Sequence, residues 1–181
     1  MDDPEAKIPR PPVGPPSCID GFRPVAAELA TEGDRPPHPG WRLRCRCGGE
    51  HGRILGHWLG ATGDGHAKLI SPIAFECGTC GRTTAVIDTA RHGYHAEVAA
   101  REGGVGSAKR RGEGPPSAWR CPRCGGERSG LVVAFLYSGA VLDLAEDEPG
   151  WPIRDFFTAF LSCADCLACG HRSEPTDFGK L

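Results

Sequence analysis

Cys121–Pro–Arg–Cys124–Gly125 and, much later, Cys166–Leu–Ala–Cys169–Gly170–His171 are the stretches that decide the fold. Each is a tight turn that presents two thiols to one side. The glycine after the second cysteine admits a backbone conformation closed to bulkier residues. In such a turn backbone N–H groups face the sulfurs and offset their negative charge. An apolar stretch separates the two turns, so together they read as one metal site in two halves. The same arrangement occurs earlier as Cys45–Arg–Cys47–Gly48 and Cys77–Gly–Thr–Cys80–Gly81. Four thiolates in two such turns suit tetrahedral zinc, and the expectation is two Zn2+ per chain.

The two sets look like an internal duplication. Cys47–Gly–Gly–Glu50 is repeated as Cys124–Gly–Gly–Glu127, and a Trp–Arg pair (Trp41–Arg42, Trp119–Arg120) precedes the first turn of each. Between the two turns of a site lie 29 residues in the first copy and 41 in the second, so each carries an enlarged hairpin. The first copy has one irregularity: a single residue separates Cys45 from Cys47. His51 or a water is then an alternative donor, with both cysteines preferred. In the second copy Cys163, three before Cys166, offers Cys163/Cys166 as a substitute pair. The glycine after Cys169, and its absence after Cys166, favours Cys166/Cys169.

Composition agrees with a fold held by metal. The chain has 181 residues, 39% of them apolar, with 26 Gly, 17 Pro and a single Met. Such a chain favours turns over long helices and offers no obvious large core. The Cys-x-x-Cys-Gly spacing speaks for metal ligation rather than a secreted disulfide framework. No apolar leader opens the sequence and no run approaches a membrane span, so the expected compartment is the cytoplasm.

Residues 1–40 hold ten of the prolines and read as a mostly disordered tail, with a helical turn or two at Pro24–Ala30. Cys18 stands there without a partner turn. The first module spans 41–100, with strands expected at Arg53–Ala61, Lys68–Glu76 and Thr83–Asp88 and a glycine-rich turn at Thr62–His66. Residues 101–118 read as a flexible basic linker containing Lys109–Arg110–Arg111. The second module spans 119–181. Gly130–Ser138 is its leading strand candidate, with Val141–Leu144 as continuation or hairpin return and an acidic turn at Glu146–Gly150. Phe156–Ser162 follows, as a strand in preference to a short helix.

Each module resembles a zinc ribbon with rubredoxin-type knuckles, over about residues 41–97 and 119–172. The resemblance rests on the paired knuckles alone. It implies a small all-β, metal-stabilised fold of two tandem ribbons, with Cys45, Cys47, Cys77, Cys80, Cys121, Cys124, Cys166 and Cys169 as ligands. It implies no single activity. Iron is the rival metal, since rubredoxins hold it in four such thiolates; zinc is preferred.

Function is less legible. Residues 41–128 carry 14 Lys and Arg against 8 Asp and Glu, flanked by acidic ends, within a net charge of −2. A basic centre with nearby tryptophans suits phosphate tracking and base stacking. The same arginines would also offset the formal negative charge of four-thiolate metal centres. Asp88–Thr–Ala–Arg91–His92–Gly93–Tyr94–His95–Ala–Glu97 gathers acid, base and aromatic residues, and Arg91, His92, Tyr94 and His95 are candidate partner contacts. No nucleophile motif or phosphate loop completes an active site. The expected function is therefore a non-enzymatic zinc-binding adaptor that engages a protein partner through ribbon loops. A nucleic-acid-binding protein is the alternative, and a metal-dependent enzyme or rubredoxin-like redox protein ranks behind both.

Overall fold

The computed structural model describes residues 14–30, 37–61, 67–103, 111–147, 150 and 152–176. The expected Thr62–His66 turn, Lys109–Arg110 and part of the Glu146–Gly150 turn lie outside them. The described chain is mostly β, a curled antiparallel sheet of nine strands. In order these are β1 (Arg23–Leu29), β2 (His38–Arg44), β3 (His51–Ala61), β4 (Ala67–Cys77), β5 (Thr83–Ile87), β6 (Ser117–Ala118), β7 (Arg128–Leu136), β8 (Ala159–Cys166) and β9 (Arg172–Ser173). Two helices, α1 (Tyr94–Arg101) and α2 (Gly139–Asp147), interrupt them.

The spatial order is β1-β2-β7-β3-β4-β5, with β8 against β7, β9 against β8, and β6 against β3. The two halves therefore share one sheet: β7 of the second half lies between β2 and β3 of the first. β3 shows why its sequence is a strand. Gly52, Ile54 and Gly56 are buried while Arg53, Leu55 and His57 are less so, the period-two alternation of a strand with one face inward. β7 reads differently because both its faces are covered. Ser129 to Phe135 are all buried, which is why Leu-Val-Val-Ala-Phe forms an unbroken apolar run. Leu131, Val133 and Phe135 face the main core with Ile54, Phe75, Val86 and Phe160. Val132 and Ala134 face a smaller cluster with Leu29.

The N-terminal expectation is corrected. Arg23–Leu29 is a strand, not helical turns, and it pairs with β2 in an unbroken seven-residue register. Its alanines have high helix propensity, but the sheet edge offered by β2 overrides that weak local preference. Pro24 is tolerated because β1 is an edge strand. Ile19 and Phe22, just before it, are buried in the main core. The buried Asp155 accepts a hydrogen bond from the Ser17 backbone N–H at 2.6 Å, which ties this segment to the second half. Within residues 1–40, then, 14–30 and 37–40 belong to the fold, and the rest of the span read as a tail lies outside the described residues.

The second correction concerns Val141–Leu144, which lies in α2 rather than in a strand. The Ser138 carbonyl accepts from the N–H groups of Val141 and Leu142, turning the chain before a hairpin return can form. Phe156–Ser162 becomes strand only from Ala159 onward, after a 3-10 turn at Ile153–Asp155. At the end of the span read as linker, Arg111 pairs with Asp88, and the Gly112 N–H donates to the Ser71 carbonyl at 2.7 Å.

Two positions at the β3–β7 contact make opposite predictions. A Cβ on Gly52 would lie 2.1 Å from the Glu76 carbonyl oxygen and 2.8 Å from the Phe75 ring. Gly52→Val should therefore lower stability by about 2–3 kcal/mol, read as a shift of the urea midpoint. Opposite it, the buried Ser129 hydroxyl has no hydrogen-bond partner among the described residues. Ser129→Ala should be neutral or raise stability by about 1 kcal/mol, since it removes a desolvated polar group. A clear loss on Ser129→Ala would show that the hydroxyl is satisfied in solution.

Candidate metal centres

The sulfurs come together in two groups, Cys45/Cys47/Cys77/Cys80 and Cys121/Cys124/Cys166/Cys169, each with its four donor atoms within 4.8 Å of one another. The two groups are built alike. Cys45 follows β2 and Cys47 leads into β3, while Cys77 ends β4 and Cys80 precedes β5. In the second group Cys121 follows β6, Cys124 leads into β7, Cys166 ends β8 and Cys169 precedes β9. Within each, buried and more exposed thiols pair across the site. Cys45 Sγ lies 3.7 Å from Cys80 and Cys47 Sγ 3.6 Å from Cys77. Cys121 Sγ lies 3.7 Å from Cys169 and Cys124 Sγ 3.6 Å from Cys166. A metal bound tetrahedrally at about 2.3 Å from each sulfur sets neighbouring sulfurs about 3.8 Å apart. The tetrads fit that edge, and their separations are far beyond disulfide bonding at about 2.05 Å.

The turns explain the fit. Gly48, Gly81, Gly125 and Gly170, each following a cysteine of these groups, have φ of +95°, +70°, +74° and +69°. A side chain at any of them would be strained. The Gly81 N–H donates to the Cys77 carbonyl and the Gly170 N–H to the Cys166 carbonyl, both at 2.9 Å. The irregular Cys45–Cys47 spacing is absorbed within its turn. Cys45 N–H closes onto the Gly49 carbonyl at 2.8 Å, as Cys121 N–H closes onto that of Gly126 at 2.9 Å. His51 is not among the donors; its backbone carbonyl accepts from the Gly78 N–H instead.

Electrostatics within the tetrads reflects thiols crowded together. Burial pushes the Cys77 thiol up, but the Cys80 and Thr79 backbone N–H groups and the neighbouring thiols outweigh it, so the pKa falls to about 6. The Thr79 N–H lies 3.4 Å from the Cys77 sulfur. The same balance draws Cys166 down to about 7. Cys47 gains from the Gly49 backbone hydrogen bond, yet the surrounding thiols Cys80, Cys45 and Cys77 drive it up to about 12. Four thiols so placed cannot all ionise unaided. A bound cation would remove the conflict by favouring the deprotonated form of all four thiols.

Cys163 sits opposite Val132 in the β7–β8 register and packs into the smaller apolar cluster, away from the tetrad. Its pKa is raised to about 11, chiefly by burial. Cys18 packs against the main core, and burial, with the charge of Asp155, pushes its thiol far up. His92 is half-buried and its Nδ1 accepts from the Asp88 N–H at 2.9 Å, closing its own turn. Desolvation holds its pKa below the ordinary value. Tyr94 stacks edge-on against His95 and Phe156, while Arg91 and His95 are exposed. Sequence reasoning missed Asp155, whose isolated position in Ile-Arg-Asp-Phe carries no signal of burial.

No helix among the described residues is long and apolar enough to cross a membrane. No protein-family model, curated protein or solved structure matches this chain.

Cys163→Ser should leave the metal content of the purified protein unchanged, whereas serine at any of the eight tetrad cysteines should reduce it. Elemental analysis against protein concentration checks both. Loss of metal on Cys163→Ser would overturn the assignment of the second tetrad.

Proposed function

We propose that this chain is a zinc-stabilised, non-enzymatic interaction protein that engages a protein partner through the loops of its knuckles. One observation carries the reading: each site gathers four sulfur donors within 4.8 Å of one another, and a tetrahedral metal held by all four would have no position left for water or substrate. Closed four-cysteine sites are the structural type, and zinc suits them without redox chemistry. Elsewhere among the described residues the cavity of about 570 Å³ beside β1 and β2 has Glu28 and Tyr137 as its ionisable lining groups. Neither pairs there with a nucleophile.

The knuckles also present apolar surface. Leu167, between Cys166 and Cys169, is 52% exposed. Burying the exposed half of this side chain in a partner is worth about 1 kcal/mol, while in isolation it meets water. Binding of nucleic acid by the basic middle has less support. Arg42, Arg44, Arg53, Arg111 and Arg120 each sit in an ion pair with a carboxylate.

Two zinc ions per chain should be found in protein purified without added metal. A coloured iron protein, or one metal per chain, would sink the zinc reading. Leu167→Glu should keep both zinc ions and abolish cross-linking to its partner in the native host. If cross-linked species persist unchanged, the knuckle tip is not the contact.

A further inference from the structure

The two halves exchange strands. Aligned on Cys47 and Cys124, Gly52 corresponds to Ser129, and these two residues are paired with each other. On either side, His51 pairs with Gly130 and Arg53 with Arg128, each pair the counterpart of the other under the same alignment. A local two-fold axis therefore passes through Gly52 and Ser129, as in a self-complementary dimer interface.

The strands that lead into the first cysteines obey the same axis. Aligned on Cys45 and Cys121, Trp41 corresponds to Ser117 and Arg42 to Ala118. Trp41 pairs with Val133 and Arg42 with Val132 of β7, while Ser117 pairs with Gly56 and Ala118 with Leu55 of β3. Val133 and Val132 are themselves the counterparts of Gly56 and Leu55. Thus β2 is bonded to the hairpin of the second half, and β6 to that of the first. The side chains aligned next, Leu43 and Trp119, are 0% and 2% exposed in the shared core. Arg42 also reaches Asp165 of β8 at 3.2 Å.

We propose that the two tetrads load and release metal as a coupled pair, because each clasps a leading strand that is hydrogen-bonded to the other half's hairpin. Metal at the first tetrad fixes the end of β2 to the ends of β3 and β4, and so holds β7 in place. Metal at the second fixes the end of β6 to β7 and β8, and so supports β3. Emptying either site frees a strand on which the other half depends, so the chain switches between closed and open forms over a narrow range of free metal. The inference rests on the reading that both tetrads carry metal.

Titration of the full wild-type chain with a chelator tests it, with released metal measured in filtrates and strand content followed by circular dichroism. Both metals should leave in one step, with a Hill coefficient above about 1.5 and loss of strand signal in parallel. Two resolved steps from a protein that starts with two metals would overturn the coupling and leave the metal reading intact. A protein that starts with fewer than two would overturn both. In the variant Cys169→Ser, metal content should fall below one per chain, and amide exchange in β2 and β3 should rise by about tenfold or more. Retention of one metal with β2 and β3 still protected would equally overturn the coupling.

Discussion

The pairing of β3 with β7 around Gly52 and Ser129 holds the architecture together. It is short, three residue pairs long, and it is possible because Gly52 brings no side chain to a point already filled by the Glu76 carbonyl and the Phe75 ring. Each strand then has free edge beyond the contact, and the leading strand of the opposite half occupies it. The shared core follows from this exchange. Trp119 is buried in it and donates its backbone N–H to the Ile54 carbonyl at 2.8 Å.

A sheet assembled from segments so distant in sequence has a large loop-closure cost to overcome. The buried apolar residues, chiefly Ile, Leu and Phe with Trp119, meet part of it. The tetrads sit where the leading strands meet the hairpins, so a cation there would tie together residues 35 apart in the first half and 48 apart in the second and turn its binding energy into folding energy. Further links cross between the halves at the far ends. The Leu69 N–H donates to the Pro175 carbonyl at 2.8 Å, and the Tyr94 N–H to that of Phe157 at 2.9 Å.

Charge is organised around the same framework. Arg53 grips Glu76 through two nitrogens, and Asp165 takes both Arg172 and Arg42. The Arg172 hydrogen bond, with that of Arg42, holds the Asp165 carboxyl below its usual range against the opposing effect of burial. These pairs are partly exposed and screened, so each is worth little alone. Their placement beside the cysteine turns matters more, because it supplies arginine near centres that would carry net negative charge. Among the described basic residues of the middle, Arg42, Arg44, Arg53, Lys68, Arg111 and Arg120 are held in such ion pairs.

The two cysteine groups and the local geometry of their turns are legible in the order of residues alone. Cysteine spacing and the glycines after Cys47, Cys80, Cys124 and Cys169 encode turns that close over a few residues, and short-range backbone constraints are readable from short-range sequence. The strands β3, β4, β5 and β7 were legible for the same reason, from alternation or an apolar run. That β1 is a strand, that α2 is a helix and that the two halves interleave emerged with the folded chain. Ala26 and Ala27 favour a helix until β2 offers an edge, and Val141 fits either state until the chain turns at Ser138. The exchange of β2 and β6 was hidden because alternation marks which face of a strand is buried, not which neighbour it bonds. That choice is made by packing between residues far apart in the chain.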